Sequence, residues 1–159
     1  MNLRTVSGLL RTRSQRVSTV ADHGFSTYST TVETRWDLVR NKPETVRKFI
    51  EGSIIGWYNY LYGNRKGADE LIKKANPEAT DELIDASIVL MKKLGIVDSG
   101  DALSLGIGAM SDARIKDFHD KMVKAGLYKP GDVDLSKVAT TQFVNKKIGL
   151  DIKQKLGGK

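Results

Sequence analysis

The chain has 159 residues, 40% of them hydrophobic and 28% charged, with a net charge of +7 and no cysteine. That composition suits one globular domain and excludes collagen-like and charge-dominated disordered classes, while the missing cysteines exclude disulfide frameworks, thiolate zinc or iron–sulfur sites and a cysteine nucleophile. The longest strongly apolar stretch, residues 49–61, is broken by Glu51, Ser53 and Asn59 and falls short of the roughly 20 apolar residues that a membrane-spanning helix needs.

The positive charge is uneven. Arg4, Arg11, Arg13 and Arg16 all precede the first acid, Asp22, and supply four of the seven net charges. Residues 1–21 therefore form a basic segment rich in Arg, Ser and Thr, the composition of an organelle-targeting leader, and they lack the continuous apolar core of a secretory signal. They are expected to be poorly ordered, ahead of a body over residues 22–159. In that body lysines alternate with acids on helix faces, as around Glu44, Arg47, Lys48 and Glu51, without interleaved aromatics for base stacking. A solvated surface is expected there, and no nucleic-acid partner.

Residues 25–33 are dense in Ser, Thr, Tyr and Val and read as one short strand. A brief helical turn follows over 34–40, and Pro43 with Glu44 opens a longer helix, since proline is tolerated in the first turn and an acid complements the positive helix end. Val46, Phe49, Ile50, Ile54, Trp57 and Leu61 recur at steps of three and four, predicting one buried stripe. Gly52 and Gly56, four apart, predict close packing against a neighbour. Trp57, Tyr58, Tyr60 and Tyr62 are read as packing and rim residues rather than a ligand-stacking box. Gly63 and Asn64 end the helix.

A short helix over 68–75 should stop before Asn76 and Pro77. The next is capped by Thr80, carries Asp81 and Glu82 in its first turn, buries Leu83, Ile84, Ile88, Met91 and Leu94, and closes at Gly95. Asp81, Glu82 and Asp85 are thus assigned to capping and solvent, not metal. Residues 98–110 read as a glycine-containing loop, and Gly106 and Gly108 lack the further glycine or Gly-Lys-Ser/Thr of a phosphate loop. Ser111 caps a helix through Ala125, with Ile115, Phe118, Met122 and Val123 inward and Gly126 as its stop. His119, between Asp117 and Asp120, is expected at the surface and not on a metal. The tail adds a short helix from Asp134 and an amphipathic segment over 142–156. The predicted fold is mostly α with little β.

Several of these residues, taken in order, carry a family resemblance: Ser26, Thr27, Tyr28, Ser29, Thr30 and Thr31 leading into Arg35, Trp36, Asp37, Leu38 and Val39; then Asn41, Pro43, Glu44, Val46, Phe49, Gly56 and Trp57. Further along come Asn76 and Pro77, Gly95 to Asp98, Gly106 to Met110, Phe118 with Met122, and Gln142 to Asn145. Over about residues 20–152 the chain resembles the C-terminal part of solute-binding proteins of ABC importers, the group that handles nitrate, sulfonates, taurine and thiamine-pyrimidine precursors. The strength lies in the sequence of landmarks, since no single motif is diagnostic.

The resemblance implies a C-terminal fragment of a two-lobed α/β periplasmic-binding fold of type II, which encloses a small organic or anionic solute and delivers it to an ABC permease in the membrane. It implies a periplasmic location, no chemistry and no cofactor. Ser26, Thr27 and Tyr28 are the implied ligand contacts, offering hydroxyls near the cleft of such proteins. With one strand and no second lobe, the chain is expected to be truncated and to bind no solute by itself. Two rival readings are a fragment of a thiamine-pyrimidine synthase-like enzyme, which the absence of cysteine disfavours, and an autonomous helical interaction module.

Overall fold

The computed structural model describes residues 20–28 and 30–158. The basic segment over 1–21 lies outside the described residues except for Val20 and Ala21, which begin a 3-10 turn, Val20–His23. Seven α-helices follow among the described residues: α1 (Trp36–Asn41), α2 (Pro43–Tyr62), α3 (Lys66–Ala75), α4 (Asp81–Leu94), α5 (Ala102–Leu105), α6 (Asp112–Lys124) and α7 (Leu150–Lys155), with a 3-10 turn at Leu135–Lys137 between the last two.

The helix boundaries have local causes. Lys42, ahead of the proline, leaves helical geometry at φ −136° and ψ 50°, which separates α1 from α2. Thr80 accepts a hydrogen bond from the Leu83 amide at 3.3 Å, and Ser111 does the same for Arg114 at 3.3 Å. Each hydroxyl satisfies one of the orphan N–H groups of a first turn. Gly95, at φ +59°, ends α4 in the left-handed conformation that glycine adopts without steric cost.

The 20-residue α2 is the axis of the molecule. One face buries Ile54, Tyr58 and Leu61 against Ile88 of α4 and Ile107, with Ile148, Leu150 and Ile152 packed alongside. A second cluster joins Val39 of α1 and Val46 of α2 to Phe143, and the Trp36 indole N–H donates to the Lys137 carbonyl at 3.1 Å across the same end. Tyr58 is fully buried, its hydroxyl accepting from the Ile107 amide at 3.1 Å. Gly149 presses on the Tyr58 ring so closely that a β-carbon would stand 2.3 Å from it.

The helical expectation holds, with corrections. No β-strand occurs among the described residues, so the strand expected over 25–33 is not formed by residues 25–28 or 30–33, and Ser29 lies outside the description. A strand needs a ladder partner, and here the carbonyls of Gly24 and Thr27 are taken by side chains of α6. Phe49, placed on the buried stripe by periodicity, is 62% exposed, whereas Tyr58, placed on the rim, is fully buried. The buried direction of α2 is turned toward Ile54, Tyr58 and Leu61, leaving Phe49 on its flank. Gly52 and Gly56 face open space rather than a close neighbour. The 98–110 loop contains α5, and only residues 150–155 of the tail segment expected over 142–156 are helical. The predicted inward face of α6 is half-buried throughout. Among the described residues no helix is long and apolar enough to cross a membrane.

Candidate functional site

Ser26, Thr27 and Tyr28 are half-buried, and the last two meet the start of α6. The Tyr28 hydroxyl accepts from the Ser111 amide at 2.9 Å. Because a phenol both donates and accepts, its proton stays available for another acceptor. Arg114, one turn into α6, holds the same segment twice: its guanidinium donates to the Thr27 carbonyl at 2.7 Å and stacks 4.3 Å from the Tyr28 ring centroid, a cation–π distance. Further along the helix, Lys121 donates to the Gly24 carbonyl at 2.7 Å and to Asp117 at 2.6 Å. Residues 24–28 are thus bound along α6 by side chains of one helical face at positions 114 and 121.

The loop before α6 is fixed from the other side by Asn145. Its amide nitrogen donates to the Met110 carbonyl at 2.8 Å and its amide oxygen accepts from the Met110 N–H at 3.1 Å, pairing with one backbone residue as a strand neighbour would. Asn145 and Lys147 both adopt φ +61°. Asparagine tolerates that region, and lysine there is uncommon; the Lys147 amide is committed to the Leu105 carbonyl at 2.9 Å. Three of the sequence landmarks, around Tyr28, Met110 and Asn145, therefore meet at the N-terminal end of α6.

Arg114 and Asn145 supply most of this geometry, and neither was singled out as a site residue by sequence reasoning. The Arg114 contact spans 87 positions and leaves no local trace. Asn145 had a weak local signal, an asparagine suited to a left-handed turn beside two lysines.

Two open hollows lie elsewhere. One, of about 450 Å³, is lined by charged groups that include Arg65, Lys66, Asp69 and Lys73; Arg65 there pairs with Asp69 at 2.9 Å and also with Asp85. The other, of about 360 Å³, lies between α2 and α3 and exposes Gly56, Trp57, Tyr60 and Ile72. Trp57 and Tyr60 meet edge to face there, their centroids 6.0 Å apart. Neither hollow includes Ser26, Thr27 or Tyr28.

His119 is more enclosed than its neighbouring acids suggested. Its side chain is 15% exposed and stacks on Tyr128 at 6.3 Å, and the nearest Asp120 oxygen is 3.7 Å away, beyond hydrogen-bond length. Among the described residues no group of three or more His, Cys, Asp or Glu side chains is arranged to hold a metal. Compared with protein-family models, curated proteins and solved structures, the chain matches none.

Proposed function

We propose that this chain is the C-terminal portion of a solute-binding component of an ABC importer, acting in the periplasm by enclosing a small organic or anionic solute and passing it to a membrane permease. On this reading its helices belong to a two-lobed type II α/β fold whose sheet-bearing remainder is supplied by other polypeptide. Ser26, Thr27 and Tyr28 line its side of the cleft. The observation that carries the reading is the convergence at the start of α6: Tyr28 on Ser111 and Asn145 on Met110 bring together landmarks from both ends of the region of resemblance. The free phenolic proton of Tyr28 suits an anionic or carbonyl-bearing solute.

The test is calorimetric titration with nitrate, taurine and an aminopyrimidine. Residues 1–159 alone should give no heat of binding, while the same chain extended by the polypeptide encoded upstream in frame should bind one of the three. Replacing Tyr28 by Phe in the extended protein should weaken that binding about tenfold, in line with a lost hydrogen bond to a charged group. Silence from the extended protein toward every solute would sink the transport reading, and micromolar binding by the short chain would sink the division of labour.

A further inference from the structure

The C-terminal end of the chain is attached to the core in an unusual way. The α7 helix has six residues, far fewer than a helix needs to persist without tertiary support. Gly149 at its start lies on the Tyr58 ring, and Gly158 beyond its end lies against the Lys153 stem and the Tyr62 ring. Between them Leu150 and Ile152 are only partly buried, and the one buried residue of the helix is charged: Lys153. Its ammonium reaches Asp98, just after α4, at 2.9 Å, with side-chain exposures of 8% and 3% for the two partners.

The Tyr62 hydroxyl donates to the same Asp98 oxygen at 2.6 Å. The second oxygen of Asp98 is buried with no hydrogen-bond partner. Lys153 and Lys92 both stand over the Tyr62 ring, at 5.6 and 4.9 Å. Lys155, the other charged contact of α7, pairs with Asp151 inside the helix itself and ties it to nothing else.

We propose that residues 149–158 form a releasable strap, latched to α2 and α4 by the Asp98–Lys153 pair, which opens as a unit separate from the rest of the fold and uncovers the Tyr58 and Tyr62 face of α2. A buried ion pair behaves as a latch because the cost of breaking it falls on whichever charge is left behind in apolar surroundings. The unpaired Asp98 oxygen keeps the closed state short of full polar satisfaction, and the few buried apolar groups of the strap give it little else to hold by. This inference stands independently of the transport reading.

Native-state hydrogen exchange on the full chain tests it. Amides of α7 should exchange at least tenfold faster than those of α2 and α4 in the unaltered protein. Asp98→Asn, which leaves the Lys153 ammonium facing a neutral amide, should speed α7 exchange at least a further tenfold and leave α2 unchanged. Lys153→Met keeps the stem and removes the charge, so it should return α7 close to the unaltered rate when combined with Asp98→Asn. Exchange of α7 and α2 at one common rate would overturn the proposal, as would an Asp98→Asn variant whose α7 rates stay the same or whose α2 protection is lost along with them.

Discussion

Two side chains on one helix show how finely position decides the role of a residue. Tyr58 and Phe49 are both large aromatics on α2, yet Tyr58 is wholly buried and Phe49 is 62% exposed. Their replacements should therefore differ in a direction opposite to their hydrophobicity. Tyr58→Phe deletes only a hydroxyl, but leaves the buried Ile107 amide without its acceptor, a loss of about 1–3 kcal/mol. Phe49→Ser removes a whole ring from the surface and should change stability by no more than about 0.5 kcal/mol. Urea denaturation of the two variants measures both; a larger loss for Phe49→Ser would mean that its flank of α2 is covered in solution. Periodicity placed Phe49 and Leu61 on one stripe because steps of three and four fit an arc well over about 100° wide, short of half the helix. Only the positions of α4, Ile107 and α7 choose which part of that arc is core.

At the scale of the element, α2 concentrates three tyrosines whose ionisation its packing resists. Burial is the leading cause for each: it pushes the Tyr58, Tyr60 and Tyr62 phenols above the ordinary value of 10.0, with the Asp98 carboxylate adding to the effect at Tyr62 and Asp69 at Tyr60. The folded chain thus holds these protons more tightly than the unfolded chain does. Their contribution to stability is fully present below about pH 10 and is lost as the pH rises through and beyond it. In an alkaline titration, the tyrosinate absorbance of these residues should rise only above pH 10, with the release of residues 149–158 for Tyr58 and Tyr62 or with the loss of helical circular dichroism for all three. Ionisation of all five tyrosines near pH 10 with the helix intact would refute it.

Helix termini were the most legible part of the fold, since Pro43, Thr80, Gly95, Ser111 and Gly126 act through bonds and backbone angles within a few residues of themselves. The strand expected over 25–33 was not legible in the same sense. A strand is completed by a partner elsewhere in the chain, and residues 25–28 meet the side chains of Arg114 and Lys121 instead. The candidate site shares this character: the family resemblance offered Tyr28 as a candidate, but the residues it meets, Arg114 and those around Asn145, come from distant segments.

For the whole molecule, the question is whether two apolar clusters make one cooperative unit. Ile50 of α2 packs against both, and the two tryptophans divide between them, Trp36 beside Val39, Val46 and Phe143 and Trp57 beside the Tyr58 cluster. Single-tryptophan variants made by Trp36→Phe and Trp57→Phe should show the same urea midpoint by fluorescence once corrected for the stability of each variant, because α2 cannot unwind at one end without uncovering the other cluster. Separate midpoints would divide the chain into two units. The apolar flank of α3, where Leu71 is 68% exposed and no residue is buried, marks a side of the molecule that contributes little to that unit.

The sequence by itself determined the helical character, the order of the longer helices and most of their ends, along with the exclusion of thiolate chemistry, because these follow from composition and from interactions a few residues long. The tertiary structure alone decided which arc of α2 is core, the seating of residues 24–28 on α6, and the burial of Lys153 against Asp98. Each of those depends on contacts between segments tens of residues apart, where the geometry of the backbone, and not the local pattern of side chains, sets which groups meet.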